Sequence, residues 1–457
     1  MRLGMFMMPV HPPTRSFTDT LAEDEEKALY ADQLGFDELW VGEHFSATTE
    51  PIPSPMMFMA GLVPRTKNLS FGTAVICLPN HDPVAVAAEA AQFDHMSRGR
   101  FMLGVGPGGL LSDFELFDNA DRAVRTRKFV EAIKTIQQIW SQDPPYDIPG
   151  EFRSVTLKEA IIPKLGIGYM PKPYQKPGPP ISTSLSSRNS PTARIAAQLG
   201  WGIISGNNVP NSAIASHWQT YSKACAEAGK PARGENWRLA RSVSLKEAII
   251  PKLGIGYMPK PYQQPGPPIS TSLSNRESPT ARIAAQRGWG IISGNNVPSS
   301  AIASHWQTYS KACAEAGKPA RGENWRVARS VMVAPSEAEA RDRVHSEVGA
   351  NFYFYTYMRE VLSRVGILSV LKPDLAMSDE ETTVEAITEG CMIYGSAKTF
   401  LDRLIAFRDA VGPFGTLLMT GLDWSGPNRA WERDSMRLLA QEVMPKFRQH
   451  VMAQAAE

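Results

Sequence analysis

The chain repeats itself once. The run LKEAIIPKLGIGYMPKPYQ begins at Leu157 and again at Leu245, an offset of 88 residues. The copies span 153–240 and 241–328 and differ at seven positions: Thr156/Ser244, Lys176/Gln264, Ser187/Asn275, Asn189/Glu277, Leu199/Arg287, Asn211/Ser299 and Leu239/Val327. Solenoids stack three or more degenerate units of roughly 20–50 residues. A long, near-identical unit present only twice therefore reads as a recent partial duplication, natural or engineered. Removing 88 residues from 457 leaves 369, a comfortable size for one α/β barrel with insertions.

Composition narrows the class. The chain is 43% hydrophobic and 21% charged, with 48 Lys and Arg against 46 Asp and Glu. Disorder and fibrous structure are excluded, and a net charge of +2 offers no field for nucleic acid or anionic membrane. Cys77, Cys225, Cys313 and Cys391 share no CxxC or metal-ligand spacing, so neither a disulfide framework nor a metal site is expected. The start, MRLGMFMMPV, is too short for a signal peptide, and no apolar run reaches the ~18 residues of a membrane span. The expectation is a soluble cytoplasmic protein.

Short apolar runs alternate with helical patterns. Strands are expected at Leu3–Met8, Glu38–Phe45, Leu69–Leu78 and Phe101–Val105, and then, within each copy, at Pro180–Leu185, Gly202–Ser205 and Trp237–Val243. The last falls at Gly415–Met419. Helices fall between them; Phe129, Ile133, Ile136 and Trp140 mark one by their spacing. With one copy counted, eight strands each lead into a helix. The pattern predicts a closed parallel (β/α)8 barrel, with an open doubly wound sheet as the alternative. The expected division is 1–152 (strands one to four), 153–240 (first copy, an excursion from the barrel), 241–328 (second copy, strands five, six and the start of seven) and 329–457 (the end of the barrel). The second copy is favoured because Trp325–Val331 runs straight on into Met332-Val333-Ala334.

In a parallel barrel, chemistry sits at the C-terminal ends of the strands. His44, at the end of the second, could move a proton near neutral pH, since an unperturbed imidazole titrates near ~6.5. The bland alternative is a structural histidine bonded to Glu43 or to a backbone carbonyl. Strand four ends in Gly104-Val105-Gly106-Pro107-Gly108-Gly109, which lets backbone approach a flat ligand or an anion. It lacks GxGxxG spacing, and no helix is expected directly after it. Ser190-Pro191-Thr192, and Ser278-Pro279-Thr280 in the second copy, open helices whose free N–H groups favour an anion or are simply capped. HExxH, GxSxG and P-loop motifs are absent.

These residues resemble the luciferase-like flavin monooxygenases, closest to the limonene monooxygenase-like branch. LWVGEHFS (39–46), LSFGTAVICLPNHDPV (69–84), FDHMSRGRFMLGVGPGGLLSDFELF (93–117), SPTARIAAQLGWGIISG (190–206) and IYGSAKTFLDRL (393–404) carry the resemblance in this order. It implies a (β/α)8 barrel that binds reduced FMN, supplied by a separate NAD(P)H:flavin reductase, and inserts one atom of O2 into a small apolar substrate, terpene-like or cyclic. By resemblance His44 is the active-site histidine, Ala74-Val75 is a cis peptide beneath the flavin, and Gly106 lies against the cofactor. Ser190 and Thr192, or Ser278 and Thr280, contact its phosphate. Pro107 stands where the luciferases proper place a phosphate-binding arginine, which leaves Arg188 or Arg276 to balance the charge. A homodimer is implied, with apolar residues along Met56–Leu62 and Val84–Ala91 at its interface. The rival readings are an F420-dependent oxidoreductase on the same fold and a non-catalytic flavoprotein spoiled by the duplication.

Overall fold

The computed structural model describes residues 3–185, 187–206, 209, 211–240, 263 and 267–454, in two compact units, Met1–Tyr262 and Gln263–Glu457. The opening of the second copy, 241–262, lies outside the described residues. The first unit contains the parallel strands β1 (Gly4–Met7), β2 (Glu38–Val41), β3 (Ser70–Thr73), β4 (Ile76–Cys77) and β5 (Phe101–Gly106). An antiparallel hairpin of β6 (Tyr146–Ile148) and β7 (Val155–Leu157) follows. Then come β8 (Ile181–Leu185), β9 (Gly202–Ser205) and β10 (Trp237–Leu239) from the first copy. The sheet order β1-β2-β3-β5-β8-β9-β10, with β4 on β5, is that of a (β/α)8 barrel wall.

Local sequence explains the helices between these strands. Asp82 accepts hydrogen bonds from the N–H groups of Val84 and Ala85 and opens Pro83–Met96 with a proline at its first turn. Asp121 does the same for Arg122–Ser141, whose Phe129, Ile133, Ile136 and Trp140 are buried as their spacing predicts. The apolar layer between sheet and helices gathers Leu39, Phe71, Phe101, Phe129 and Ile203. On the other face of the sheet, Phe6, Trp40, Ala74, Val75, Met102 and Ile204 cluster toward the barrel interior.

The interior is narrow where glycines stand. A methyl group at Gly104 would lie 1.7 Å from the Thr73 carbonyl oxygen, and the Thr73 hydroxyl bridges the Gly104 N–H and C=O at 2.9 and 2.7 Å. Backbone there cannot yield without breaking the ladder. Gly104→Ala is expected to destabilise the first unit by about 3 kcal/mol, as overpacking in a full core does. Urea denaturation followed by tryptophan fluorescence measures it; a loss below about 0.5 kcal/mol would show that the wall relaxes.

The sheet corrects the expectation for the first copy. Residues 153–240 are not an excursion: β8 pairs with β5 in the register Leu103↔Ile181, Gly104↔Ser182 and Val105↔Thr183. The first copy also ties back to the start of the barrel, because Arg238 Nε lies 3.2 Å from Glu38 Oε2 in the interior. The two copies offer near-equal pairing surfaces, so connection length decides between them. The first copy reaches β5 through the shorter loop, and closure entropy grows with loop length. The expected second and third strands are also shortened. β2 stops at Val41, and the third is interrupted by a cis peptide at Ala74-Val75.

The second unit builds a parallel sheet from β11 (Ser270–Leu273), β12 (Gly290–Ser293), β13 (Trp325–Ala334), β14 (Met392–Ser396) and β15 (Thr416–Met419). β13 is unbroken across the end of the repeat. It pairs with β12 and, along Arg326–Arg329, with β15. In the last helical stretch Leu439, Val443 and Phe447 are buried, whereas Met436, at helical spacing from them, is exposed. A π-helical turn at Leu439–Val443 widens the helix and shifts Met436 off the shared face.

Candidate active site

The site forms where β2, β4 and β5 end. His44 follows β2, and its imidazole is largely buried between two carboxylates. Nδ1 lies 3.2 Å from Asp113 Oδ2, and Nε2 lies 3.2 Å from Glu50 Oε2. Asp113 sits on a six-residue helix, Leu111–Leu116, that opens directly after the glycine run. This corrects the expectation that no helix follows there. Its carboxylate accepts hydrogen bonds from the backbone N–H groups of Phe45 and Ser46 and from the Ser46 hydroxyl. One acidic side chain thus fixes the loop that carries His44 and holds the imidazole as well.

Burial alone would depress the basicity of His44. The hydrogen bond to Asp113 and the charges of Glu50, Asp113 and Glu43 outweigh it, and the pKa rises above its ordinary value. Burial likewise favours protonated Asp113, but donors from His44, Ser46 and Phe45 overcome it and hold the carboxyl below its usual range. Burial raises Glu50, with His44 opposing in part. The stability that His44 gains from its partners is therefore full below about pH 6.5, the unfolded value. It is lost as pH rises through the higher folded value. Asp113→Asn is expected to lower the His44 pKa and to cost about 1–2 kcal/mol, the worth of a charge-assisted hydrogen bond. A histidine NMR titration reads the first quantity and chemical denaturation the second. An unmoved His44 titration would show that Asp113 does not set it.

Glu43 is not the partner of His44. Its buried carboxylate turns to the other side of β2, where Oε1 accepts the Cys77 N–H at 3.1 Å and Oε2 lies 2.9 Å from His81 Nε2. Phe45 packs on His81 and edge-on against Phe117, with ring centroids 5.6 and 4.8 Å apart. Gly106 meets the segment after the cis bond: a methyl there would lie 2.7 Å from Val75 Cγ2 and 3.1 Å from Ser184 Oγ. His44, Ala74, Val75 and Gly106 are thus brought to the ends of neighbouring strands. Sequence reasoning missed Asp113, Glu50, Glu43 and His81 as members of the site. The SDFELF segment after the glycines was the available signal for Asp113, since its acidic residue enters a helix just beyond a strand end.

The two serine–proline helix starts are built alike. Ser190 and Ser278 are buried, each precedes a helix with proline at its first turn, and neither caps it through its hydroxyl. Pro191 and Pro279 carry no N–H, and the Ala193 and Ala281 N–H groups donate to the Ser190 and Ser278 carbonyls at 3.0 Å, so the first-turn donor left for another acceptor is the Thr192 or Thr280 N–H. Thr192 and Thr280 lie in these first turns. Arg188 and Arg276 reach serines of the following helices, Ser212 and Ser300. Among the described residues, the Ser190 helix start is the one that follows a strand hydrogen-bonded to β5. Asn189 and Glu277, one residue before each serine, both adopt left-handed backbone. Among the described residues no group of three or more His, Cys, Asp or Glu side chains is arranged to hold a metal ion. No helix there is long and apolar enough to cross a membrane.

Residues 1–248 match the luciferase-like monooxygenase family. The 4-hydroxyprotoasukamycin monooxygenase of Streptomyces nodosus subsp. asukaensis is 34% identical over 266 residues, 56% of this chain and 68% of that protein. Limonene 1,2-monooxygenase of Rhodococcus erythropolis is 32% identical over 248 residues, 53% of this chain and 60% of that protein. The oxygenase component of the flavin-dependent trigonelline monooxygenase of Acinetobacter baylyi is 30% identical over 166 residues, 36% of this chain and 43% of that protein. The chain therefore belongs to the luciferase-like monooxygenase family and is a flavin-dependent monooxygenase.

Proposed function

We propose that this chain is the oxygenase of a two-component system. It takes reduced FMN from a separate NAD(P)H:flavin reductase and inserts one atom of O2 into a small apolar substrate, terpene-like or cyclic. The observation that carries the reading is His44 held between Asp113 and Glu50 at the strand ends, beside a wall of Gly106, Val75 and Ser184 too close to admit another side chain. Such a wall suits a flat ring. The uncapped start of Pro191–Leu199, with buried Ser190, suits the phosphate. Ser190 and Thr192 take the phosphate in preference to Ser278 and Thr280, because their strand belongs to the same sheet as His44. The names of the relatives support the rest: one is an oxygenase component and another acts on limonene.

Bound FMN supplies the activation of oxygen. The chain supplies placement and proton handling. Ala74, Val75 and Gly106 bound the ring site, and Phe45, Phe117 and the interior Trp40 and Met102 exclude water around it. Charged His44 donates from Nδ1 to Asp113, which fixes the ring and leaves Nε2 as the atom that gives or takes a proton. Glu50, beside Nε2 and partly open to solvent, relays that proton outward. A homodimer through Met56–Leu62 and Val84–Ala91 fits the exposed Met57.

The test combines binding with turnover. FMN should raise the melting temperature. Reductase, NADH and a panel of cyclic terpenes and ketones should give an oxygenated product. Protection by F420 in place of FMN, with no oxygen incorporated, would overturn the reading.

A further inference from the structure

We propose that Glu43 and His81 form a positioning pair that holds the Ile76–Cys77 strand against the end of β5, and so sets the spacing between His44 and the wall on which the flavin ring rests. The inference rests on the functional reading above and adds residues to it.

Neighbouring residues at a strand end point to opposite sides. His44 turns to Asp113 and Glu50, whereas Glu43 turns to Cys77 and His81. β4 is only two residues long, and its pairs with β5 are Ile76↔Val105 and Cys77↔Gly106. So short a strand has little ladder of its own to fix its place. The Glu43 carboxylate supplies the missing constraint by accepting the Cys77 N–H at 3.1 Å. Val75, which abuts Gly106, lies two residues before that anchor. The segment that carries His44 and the wall beside Gly106 are thus tied by the Glu43 carboxylate, in addition to the Ala74 N–H that donates to the Val41 carbonyl at 2.7 Å.

A carboxylate with a side chain only 2% exposed needs a partner for its second oxygen. His81 provides it at 2.9 Å and keeps one edge toward solvent, under the ring of Phe45. Burial opposes its charge, but Glu43, with Glu89 from the helix Pro83–Met96, raises the imidazole above its ordinary value. Asp82 is adjacent in sequence but is engaged by Arg153, at 2.9 Å, and by its own helix. Asp113 also acts on Cys77, on the far side of Glu43. The ion pair is therefore complete at low pH and loses its positive member as pH rises through the raised His81 value.

The test is FMN affinity, measured by fluorescence quenching on the full chain between pH 6 and 9. Glu43→Gln should weaken FMN about tenfold throughout, the size expected when a buried charged hydrogen bond is lost. His81→Gln keeps a donor for Glu43 but cannot titrate. It should bind with near wild-type affinity at low pH and lack the wild-type weakening, about fivefold, at high pH. His44 titrates in both proteins, so their difference isolates His81. Circular dichroism of His81→Gln, a site whose side chain is 26% exposed, controls for folding should Glu43→Gln not fold. Wild-type affinity and wild-type pH profile in both variants would overturn the pair. A wild-type chain that fails to bind FMN would instead overturn the functional reading, and this inference with it.

Discussion

His44→Ala should lower the rate of oxygenation by about 10²–10³-fold, the usual loss on removing a positioned proton-transfer group. FMN affinity should stay within about threefold. The fold should survive, because Asp113 keeps its hydrogen bonds from Phe45 and Ser46 after the imidazole is gone. Glu50 would lose its partner and take up a proton, at a cost of about 1–2 kcal/mol. Turnover with saturating reductase, read beside oxygen consumption, separates the effects. Loss of product with continued oxygen consumption places His44 in the chemistry. Wild-type coupling of oxygen to product would reduce it to a structural histidine.

Deleting residues 241–328 should give a 369-residue chain that folds in one cooperative transition and binds FMN. The deletion joins Trp237–Ala240 to Arg329–Ala334 and rebuilds a ten-residue strand, WRLARSVMVA, that differs from β13 only by leucine for valine. The edge used by Thr416–Met419 on β13 is then offered on the strand next to β9. Deleting 153–240 instead should also fold but retain Glu277, a carboxylate at the start of the phosphate helix where the first deletion keeps Asn189. Its FMN affinity should be about fivefold lower, the worth of one misplaced charge at a helix N-terminus. Calorimetry and FMN titration of both deletions decide. Aggregation of both would show that neither copy can replace the other, and equal affinity would dismiss the role of Glu277.

Much of the site was legible where a residue's role follows from its place along a strand. His44 and Gly106 fall at strand ends because apolar runs stop there, and Ser190 precedes a proline-opened helix because the local pattern says so. Asp113 and His81 were not legible. Asp113 is 69 residues from His44 and His81 is 38 from Glu43, and no periodicity links residues that meet only when neighbouring loops pack. The alternative of a His44 bonded to Glu43 does not hold, because adjacency in sequence at a strand end implies opposite faces rather than contact.

The duplication separates the two levels cleanly. Near-identical sequences build near-identical local structure. His217 and His305 both bond a serine hydroxyl at 2.9 Å, Ser205 and Ser293, and Trp237 and Trp325 both donate to that same serine. Each tryptophan also stacks on a helix tryptophan, at 5.2 and 5.1 Å. These contacts lie within one strand–helix–strand unit, so sequence by itself determines them. What each copy becomes depends on its neighbours. Leu239 is 52% exposed, whereas its counterpart Val327 is fully buried in a strand paired on both edges. Arg238 finds Glu38, 200 residues away, while Arg326 donates to the Ser270 hydroxyl. Arg238 and Arg326 are the same residue between the same tryptophan and alanine, so the repeat itself does not distinguish their outcomes. A strand's backbone edges and outward side chains are satisfied by whatever element arrives beside them, and chain connectivity and packing settle which one that is.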